Sequence, residues 1–355
     1  MTSSGDVVGH MPFLGRQARL GSWEELAVGT FRAARARLVA GDGAAAAELL
    51  AVAVLEAEEL HDVYGRWPAE VLRWLEALDS PRGALDAELA RLRTVVGDEA
   101  MDGFEDGWTE YVRRTEDASD ASRAGDPRAT LMVEDTRAHW QHVHDLAVDR
   151  LYGLLDVAVR LAGEDRLREV WDLLMADWYD AHEQRLDLEN QPWAESARQL
   201  RFAILDGFHA HLTGPGRQGD VEILEDEDRW GFRFAPCGSG GRTLTEDPDR
   251  PALPGPPYGF AVTTEKHDWA WNTVGICAYC VHCCLLNELV PIERLGYPTR
   301  VIDPPVWPSD GADPRCTWWV YKDPRRVPDD VFRRVGRERA PSGIDSHEQR
   351  SEEKQ

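Results

Sequence analysis

The chain has 355 residues, 43% of them hydrophobic and 14 of them Trp, and 64 acidic against 40 basic side chains give a net charge of −24. That length suits two domains, and the apolar content supplies a core. The charge repels phosphate backbones and anionic lipid, so neither nucleic acid nor a membrane is an expected partner; the acids are spread along the chain and read as a solubilising surface.

No apolar run is long enough to span a bilayer. The N-terminus, MTSSGDVVGHMPFLGRQARL, lacks the basic-then-apolar order of a secretory signal. The expected location is therefore the cytoplasm. Residues 1–20 read as a flexible leader. A helical domain is expected over 21–116. Ser22 can cap its first helix, with Glu25 three residues on, and Leu26, Phe31, Ala34 and Leu38 mark one side. Gly41-Asp42-Gly43 breaks the pattern, an Ala-rich helix follows from Ala44 to about His61, and Trp67-Pro68 opens another. Residues 117–130 are small and polar, contain Gly125-Asp126-Pro127, and read as a linker.

Residues 131–339 read as the second domain. Three helices are expected, over Val133–Leu161, Asp165–Leu186 and Trp193–Leu212, the last ended by Gly214-Pro215-Gly216. The period then changes. Asp220–Glu225 and Arg229–Phe234 alternate, with Asp226-Glu227-Asp228 between them, which is the pattern of a β-hairpin. A helical segment is expected at Cys284–Leu289, and strands at Pro298–Val301 and Cys316–Lys322. The tail, 340–355, reads as disordered. The fold class is α+β: a helical N-terminal domain followed by a helix-plus-antiparallel-sheet domain closed by a cysteine metal site.

That closure is read from the cysteines. Of six in the chain, Cys277, Cys280, Cys283 and Cys284 fall within GICAYCVHCC, Gly275–Cys284, with His282 among them. Cys237 opens CGSGGR and Cys316 opens CTWWVY. A CxxC turn brings two thiolates close enough to share a tetrahedral ion, and zinc closes with four ligands. The expected set is Cys237, Cys280, Cys283 and Cys316, with Cys277, Cys284 and His282 as substitutes or supporting groups. The same spacing also suits an iron–sulfur cluster. Without metal, the cysteines are buried small hydrophobes, or one is a nucleophile. The glycines after Cys237 permit positive φ and an anion-binding row of N–H groups, with Arg242 as a clamp, or simply a turn that delivers Cys237.

Histidines and acids on the helices admit a second site. His139, His142, Asp145 and Asp149 share one face, and Asp177, Asp180 and His182 lie on the next helix. The simpler reading is a solvated stripe. His209 and His211 read as partners of a helix C-terminus. His267, beside Trp269 and Trp271, and Arg242 suggest a pocket for a small aromatic or acidic ligand.

From Asp145 onward the layout loosely resembles the L-2-amino-thiazoline-4-carboxylic acid hydrolase family and the vinyl-reductase-type ligand-binding domain. The matching pieces are Trp230–Phe234, Tyr279-Cys280, Gly296 and Cys316-Thr-Trp-Trp-Val-Tyr. The resemblance implies a small-molecule pocket, sometimes beside a zinc held by cysteines. The expectation is a zinc-binding protein that hydrolyses a small acidic or aromatic molecule, with His282 or His267 moving the proton and Arg242 holding the anion. A structural zinc in a ligand-sensing protein and an iron–sulfur electron carrier are the alternatives.

Overall fold

The computed structural model describes residues 6–79, 81, 83–255, 258–310 and 313–339. The expected tail, 340–355, lies outside them. Within them the protein is mostly helical with two small antiparallel sheets, an α+β fold. Among the described residues, no helix is long and apolar enough to cross a membrane.

The stretch expected to be a leader contains a hairpin, β1 (Val8–Met11) against β2 (Arg16–Arg19). Its Ala18 and Arg19 are buried, so this segment packs instead of trailing. The Ser22/Glu25 capping box forms at α1 (Trp23–Leu26). Then come α2 (Thr30–Val39) and α3 (Gly43–Glu76), which Asp42 caps through its side chain. α3 does not stop at His61 and restart at Pro68 as expected. It runs through Pro68, because Val63, Tyr64, Trp67 and Val71 on either side are all buried in the core and hold the chain helical across the missing N–H.

Helices α4 (Ala84–Val96), α5 (Asp98–Asp102) and α6 (Phe104–Arg123) follow, and five residues separate α6 from α7 (Ala129–Ala162). The expected linker, 117–130, is thus helical for much of its length. α3, α6 and α7 pack side by side. Their contact buries Tyr111 and Trp140, whose rings lie 4.8 Å apart, and Trp140 donates its indole N–H to the Ala210 carbonyl at 2.8 Å. Helices α8 (Leu167–Leu186) and α9 (Trp193–Ala210) complete the helical layer.

The second sheet has the order β3-β4-β6-β5: β3 (Glu222–Glu225), β4 (Arg229–Phe234), β5 (Val301–Asp303) and β6 (Cys316–Tyr321). The alternation in β4 buries Phe232 and Phe234, and Phe234 stacks on Phe208 of α9 at 3.6 Å. The β4–β6 register sets Phe234 opposite Cys316, so the chain leaving β4 delivers Cys237 close to β6. The cysteine-rich segment enters α10 (Val281–Cys284). A wider π turn over Leu285–Leu289 continues it into α11 (Val290–Leu295), and α12 (Asp329–Arg334) ends the ordered elements.

One buried carboxylate ties these late pieces together. Glu288, in the π turn, is 0% exposed. It accepts from the Trp271 indole at 2.9 Å, the Ile302 backbone N–H at 2.7 Å and the Arg334 guanidinium. Burial raises its pKa, and Arg334 opposes that rise. Removing one partner of such a pair leaves an uncompensated interior charge. Arg334→Met should therefore lower the unfolding free energy by about 3 kcal/mol in urea denaturation; a loss below 1 kcal/mol would show that the pair is not holding α12 in place.

Candidate functional site

A cavity of about 520 Å³ lies between the helical layer and the second sheet. Its walls come from α3, α8, α9, the loop after β4, the cysteine segment with its π turn, and β6. Cys237, Cys280, Cys283 and Cys316 all open onto it, as does His282. Cys277 and Cys284 do not; they are buried behind the wall.

The cysteine segment is fixed by three hydrogen bonds. Trp171 of α8 donates to the Ala278 carbonyl at 2.9 Å, the Ala278 N–H donates to Ala261 O at 3.0 Å, and the Tyr279 and Tyr64 hydroxyls meet at 2.9 Å. The loop after β4 is fixed by contact. A Cβ on Gly238 would lie 1.5 Å from the His211 carbonyl oxygen, and one on Gly240 would lie 2.6 Å from Cys280 Sγ and 3.1 Å from Cys277 Sγ. None of Gly238, Gly240 and Gly241 has positive φ. These glycines are required for close approach, not for the left-handed turn expected from the sequence. The Gly241 N–H points at Cys237 Sγ, 3.0 Å away.

Each cavity thiol has a nitrogen beside it or another thiol behind it. Trp318 Nε1 donates to Cys316 Sγ at 3.2 Å, and His282 Nε2 lies 3.4 Å from Cys283 Sγ. Burial pushes the Cys283 and Cys316 thiols up, and neighbouring thiols, Cys237 among them, push further. Cys280 is raised by its hydrogen bond with Cys277 and by burial. Burial would raise Cys277 as well, but hydrogen bonds from Cys280, Tyr152 and two backbone amides outweigh it and leave that thiol lowered. Among the described residues, no three His, Cys, Asp or Glu side chains gather closely enough to hold a metal ion. The four cysteines line one cavity from three separate elements, so the donor chemistry suits zinc, although no closed ligand set is formed among the described residues.

Of the three imidazoles on the cavity, His182 accepts from Arg300 at Nε2, and His282 and His211 sit in tautomers that follow from their hydrogen bonds. His282 donates from Nδ1 to the Tyr279 carbonyl at 2.6 Å, which leaves the Nε2 lone pair to Cys283. Burial brings its pKa down to about 4. His211 is oriented by a relay: His144 Nδ1 donates to Asp145 at 3.1 Å, and His211 Nδ1 lies 3.0 Å from His144 Nε2, leaving His211 Nε2 as a free base. Burial and His144 lower the His211 pKa. The sequence had read His211 as a helix-end partner; its cavity-facing position depends on His144, 67 residues away.

The other two expected catalytic groups lie elsewhere. Arg242 is not on the cavity wall. It sits between Asp149, 2.5 Å away, and Asp145, 3.6 Å away, with Tyr258 donating to Asp149 from the far side at 2.8 Å. His267 stacks on Trp269 at 4.1 Å and meets Glu164 at 2.7 Å, also away from the cavity. The helical His/Asp stripe does not form one cluster: His139 meets the Gly107 carbonyl, His142 meets Glu99, and Asp149 is taken by Arg242. The guanidinium groups on the cavity are those of Arg16, Arg185 and Arg300, which the sequence did not single out. Arg16 pairs with Asp206, and Arg300 donates to His182 Nε2 at 2.9 Å and lies 5.2 Å from the Trp318 ring.

No protein-family model, curated protein or solved structure matches this chain.

The neutral imidazoles fix the sign of one pH response. The unfolded chain takes up a proton on His282 near pH 6.5, whereas folding delays that uptake to about pH 4. Between those values the unfolded state binds more protons, so stability falls as pH drops through that window. His211 and His182, both lowered by burial, act in the same direction. Urea midpoints should therefore decrease from pH 7 towards pH 4, and His282→Gln should flatten part of that slope; an unchanged slope in the variant would mean that His282 is not held neutral by the fold.

Proposed function

We propose that this protein binds a small acidic or aromatic molecule in the thiol-lined cavity and hydrolyses it there, with Cys283 and His282 as the reacting pair. The observation that carries the reading is their contact, 3.4 Å from Sγ to Nε2, on the wall of a cavity large enough for a small ligand. The lowered His282 and the raised Cys283 favour a neutral thiol–imidazole pair at rest. The proton would then move as the bond forms. Cys283 Sγ adds to a carbonyl carbon of the ligand, His282 Nε2 takes the thiol proton and passes it to the leaving group, and water releases the acyl group as acid while restoring the thiol. His211 offers a second free base onto the same space for that water.

A second reading keeps the four thiols for zinc. It is favoured by the arrival of Cys237, Cys280, Cys283 and Cys316, from three distant parts of the chain, on one cavity. Zinc there would polarise a carbonyl or lower the pKa of bound water if a coordination position stayed open, and would be purely structural in a ligand-sensing protein if all four thiolates closed around it.

Elemental analysis of anaerobically purified protein, with p-nitrophenyl acetate as the acyl probe, separates the readings. A metal-free protein that becomes acetylated at Cys283, with loss in Cys283→Ser and at least a roughly tenfold slowing in His282→Gln, supports the thiol reading. About one zinc per chain, lost in Cys280→Ser and Cys316→Ser, supports the second. Iron with visible absorbance would replace both by an electron carrier. A metal-free protein with no acylation at Cys283 overturns the proposal.

A further inference from the structure

Two of the six cysteines differ from the others in what they touch. Cys283 meets an imidazole, Cys316 an indole N–H and Cys237 a backbone N–H, whereas the Cys280 thiol is hydrogen-bonded to another thiol, that of Cys277. Both sulfurs close on one point: a Cβ on Gly240 would lie 2.6 Å from Cys280 Sγ and 3.1 Å from Cys277 Sγ. The backbone between the two residues is a turn, closed by the Cys280 N–H on the Cys277 carbonyl at 2.8 Å. Such a turn holds its end Cα atoms within about 7 Å of each other, the span that a disulfide bridges. Each end is fixed separately. Cys277 is bridged to Val262, with the Thr263 N–H on the Ile276 carbonyl at 2.8 Å and the Ala278 N–H on the Ala261 carbonyl at 3.0 Å, and Cys280 leads directly into α10.

The two sulfurs also differ in access. Cys280 opens onto the cavity and is 8% exposed, whereas Cys277 lies behind it at 0%. A reagent in the cavity meets Cys280 first, and Cys277 can react only with what Cys280 has become. That is the arrangement of an attacking thiol and a resolving thiol. So little exposed sulfur favours a slim electrophile. A disulfide carries a substituent on each sulfur, but the terminal oxygen of a hydroperoxide carries only a hydrogen. The surrounding wall includes Leu60, Ile204, Phe208, Leu286 and Trp318, which suits an apolar body on the peroxide.

We propose that Cys280 and Cys277 form a dithiol site that reduces a small organic hydroperoxide. Cys280 Sγ attacks the terminal peroxide oxygen. The O–O bond breaks, the alkoxide takes the thiol proton and leaves as an alcohol, and Cys280 becomes a sulfenic acid. Cys277 Sγ then attacks Cys280 Sγ. The S–O bond breaks, the S–S bond forms, and the hydroxide leaves as water with the Cys277 proton. Two electrons have then passed from the thiol pair to the peroxide. A small dithiol entering the cavity restores the pair by thiol–disulfide exchange and leaves as its own disulfide. The inference goes beyond the hydrolytic reading and does not rest on it, since Cys283 takes no part.

Peptide mapping tests it. The reduced protein is treated with cumene hydroperoxide, capped with N-ethylmaleimide and cut with chymotrypsin, which cleaves after Tyr279 and so separates Cys277 from Cys280. The two fragments should stay joined until reduced, with the other four cysteines capped and one cumyl alcohol released per link. In Cys277→Ser, Cys280 should instead go on to the sulfinic acid, gaining two oxygens. With dithiothreitol present, the wild type should form alcohol continuously above the protein-free rate, and Cys277→Ser should lose that turnover. Cys283→Ser should keep the link. A link from Cys280 to Cys237, Cys283 or Cys316 would overturn the proposal, as would no loss of thiols in excess hydroperoxide. A link formed by oxidised glutathione but not by the hydroperoxide would overturn the substrate class. The wild-type map decides even where a variant fails to fold. Acylation by p-nitrophenyl acetate is read separately, so a joined map in a protein that is not acylated at Cys283 would sink the hydrolytic reading and leave this one standing.

Discussion

The late part of the fold converges on the Glu288 carboxylate. It lies in the π turn after the cysteines and gathers an indole from the aromatic loop, a backbone amide from β5 and a guanidinium from α12. A charge so far from water survives only with its partners in place. That requirement fixes where the turn sits, and the turn carries Asn287 and Leu286 onto the cavity. The wall with the thiols is thus set from behind by a group that never touches the cavity.

Glycine sets the opposite boundary. The CGSGG loop lies against the end of α9 and against the Cys277/Cys280 sulfurs at distances that exclude any side chain. Sheet register then does the rest, because Phe234 opposite Cys316 brings the loop and β6 to one edge. Neither device concerns chemistry directly. Together they place cysteines from distant parts of the sequence around a single cavity.

Much of this was legible in the sequence where the signal is local. Alternation over Asp220–Phe234 marked the hairpin, and Ser22 with Glu25 marked a helix start. The unusual density of sulfur marked Cys237, Cys280, Cys283 and Cys316, and all four line the cavity. Other readings failed for non-local reasons. Pro68 looked like a helix start because only burial of the residues around it keeps the chain helical through it. Arg242 looked like a free clamp because its partners, Asp145 and Asp149, lie nearly a hundred residues earlier on α7. Arg16, Arg185 and Arg300 gave no signal at all: only the assembled fold brings their guanidinium groups to the cavity.

The π turn has a consequence for how this wall can vary. A π turn holds one more residue than an α-helical turn would over the same rise. An α-helical register in its place would swing the following side chains by about 100° around the axis. Asn287 would then turn from the cavity while α10 and α11 stayed continuous. Loss of a single residue between Cys284 and Val290 would therefore also shift Glu288 against Trp271, Ile302 and Arg334, so the wall cannot vary here without disturbing the carboxylate that sets it.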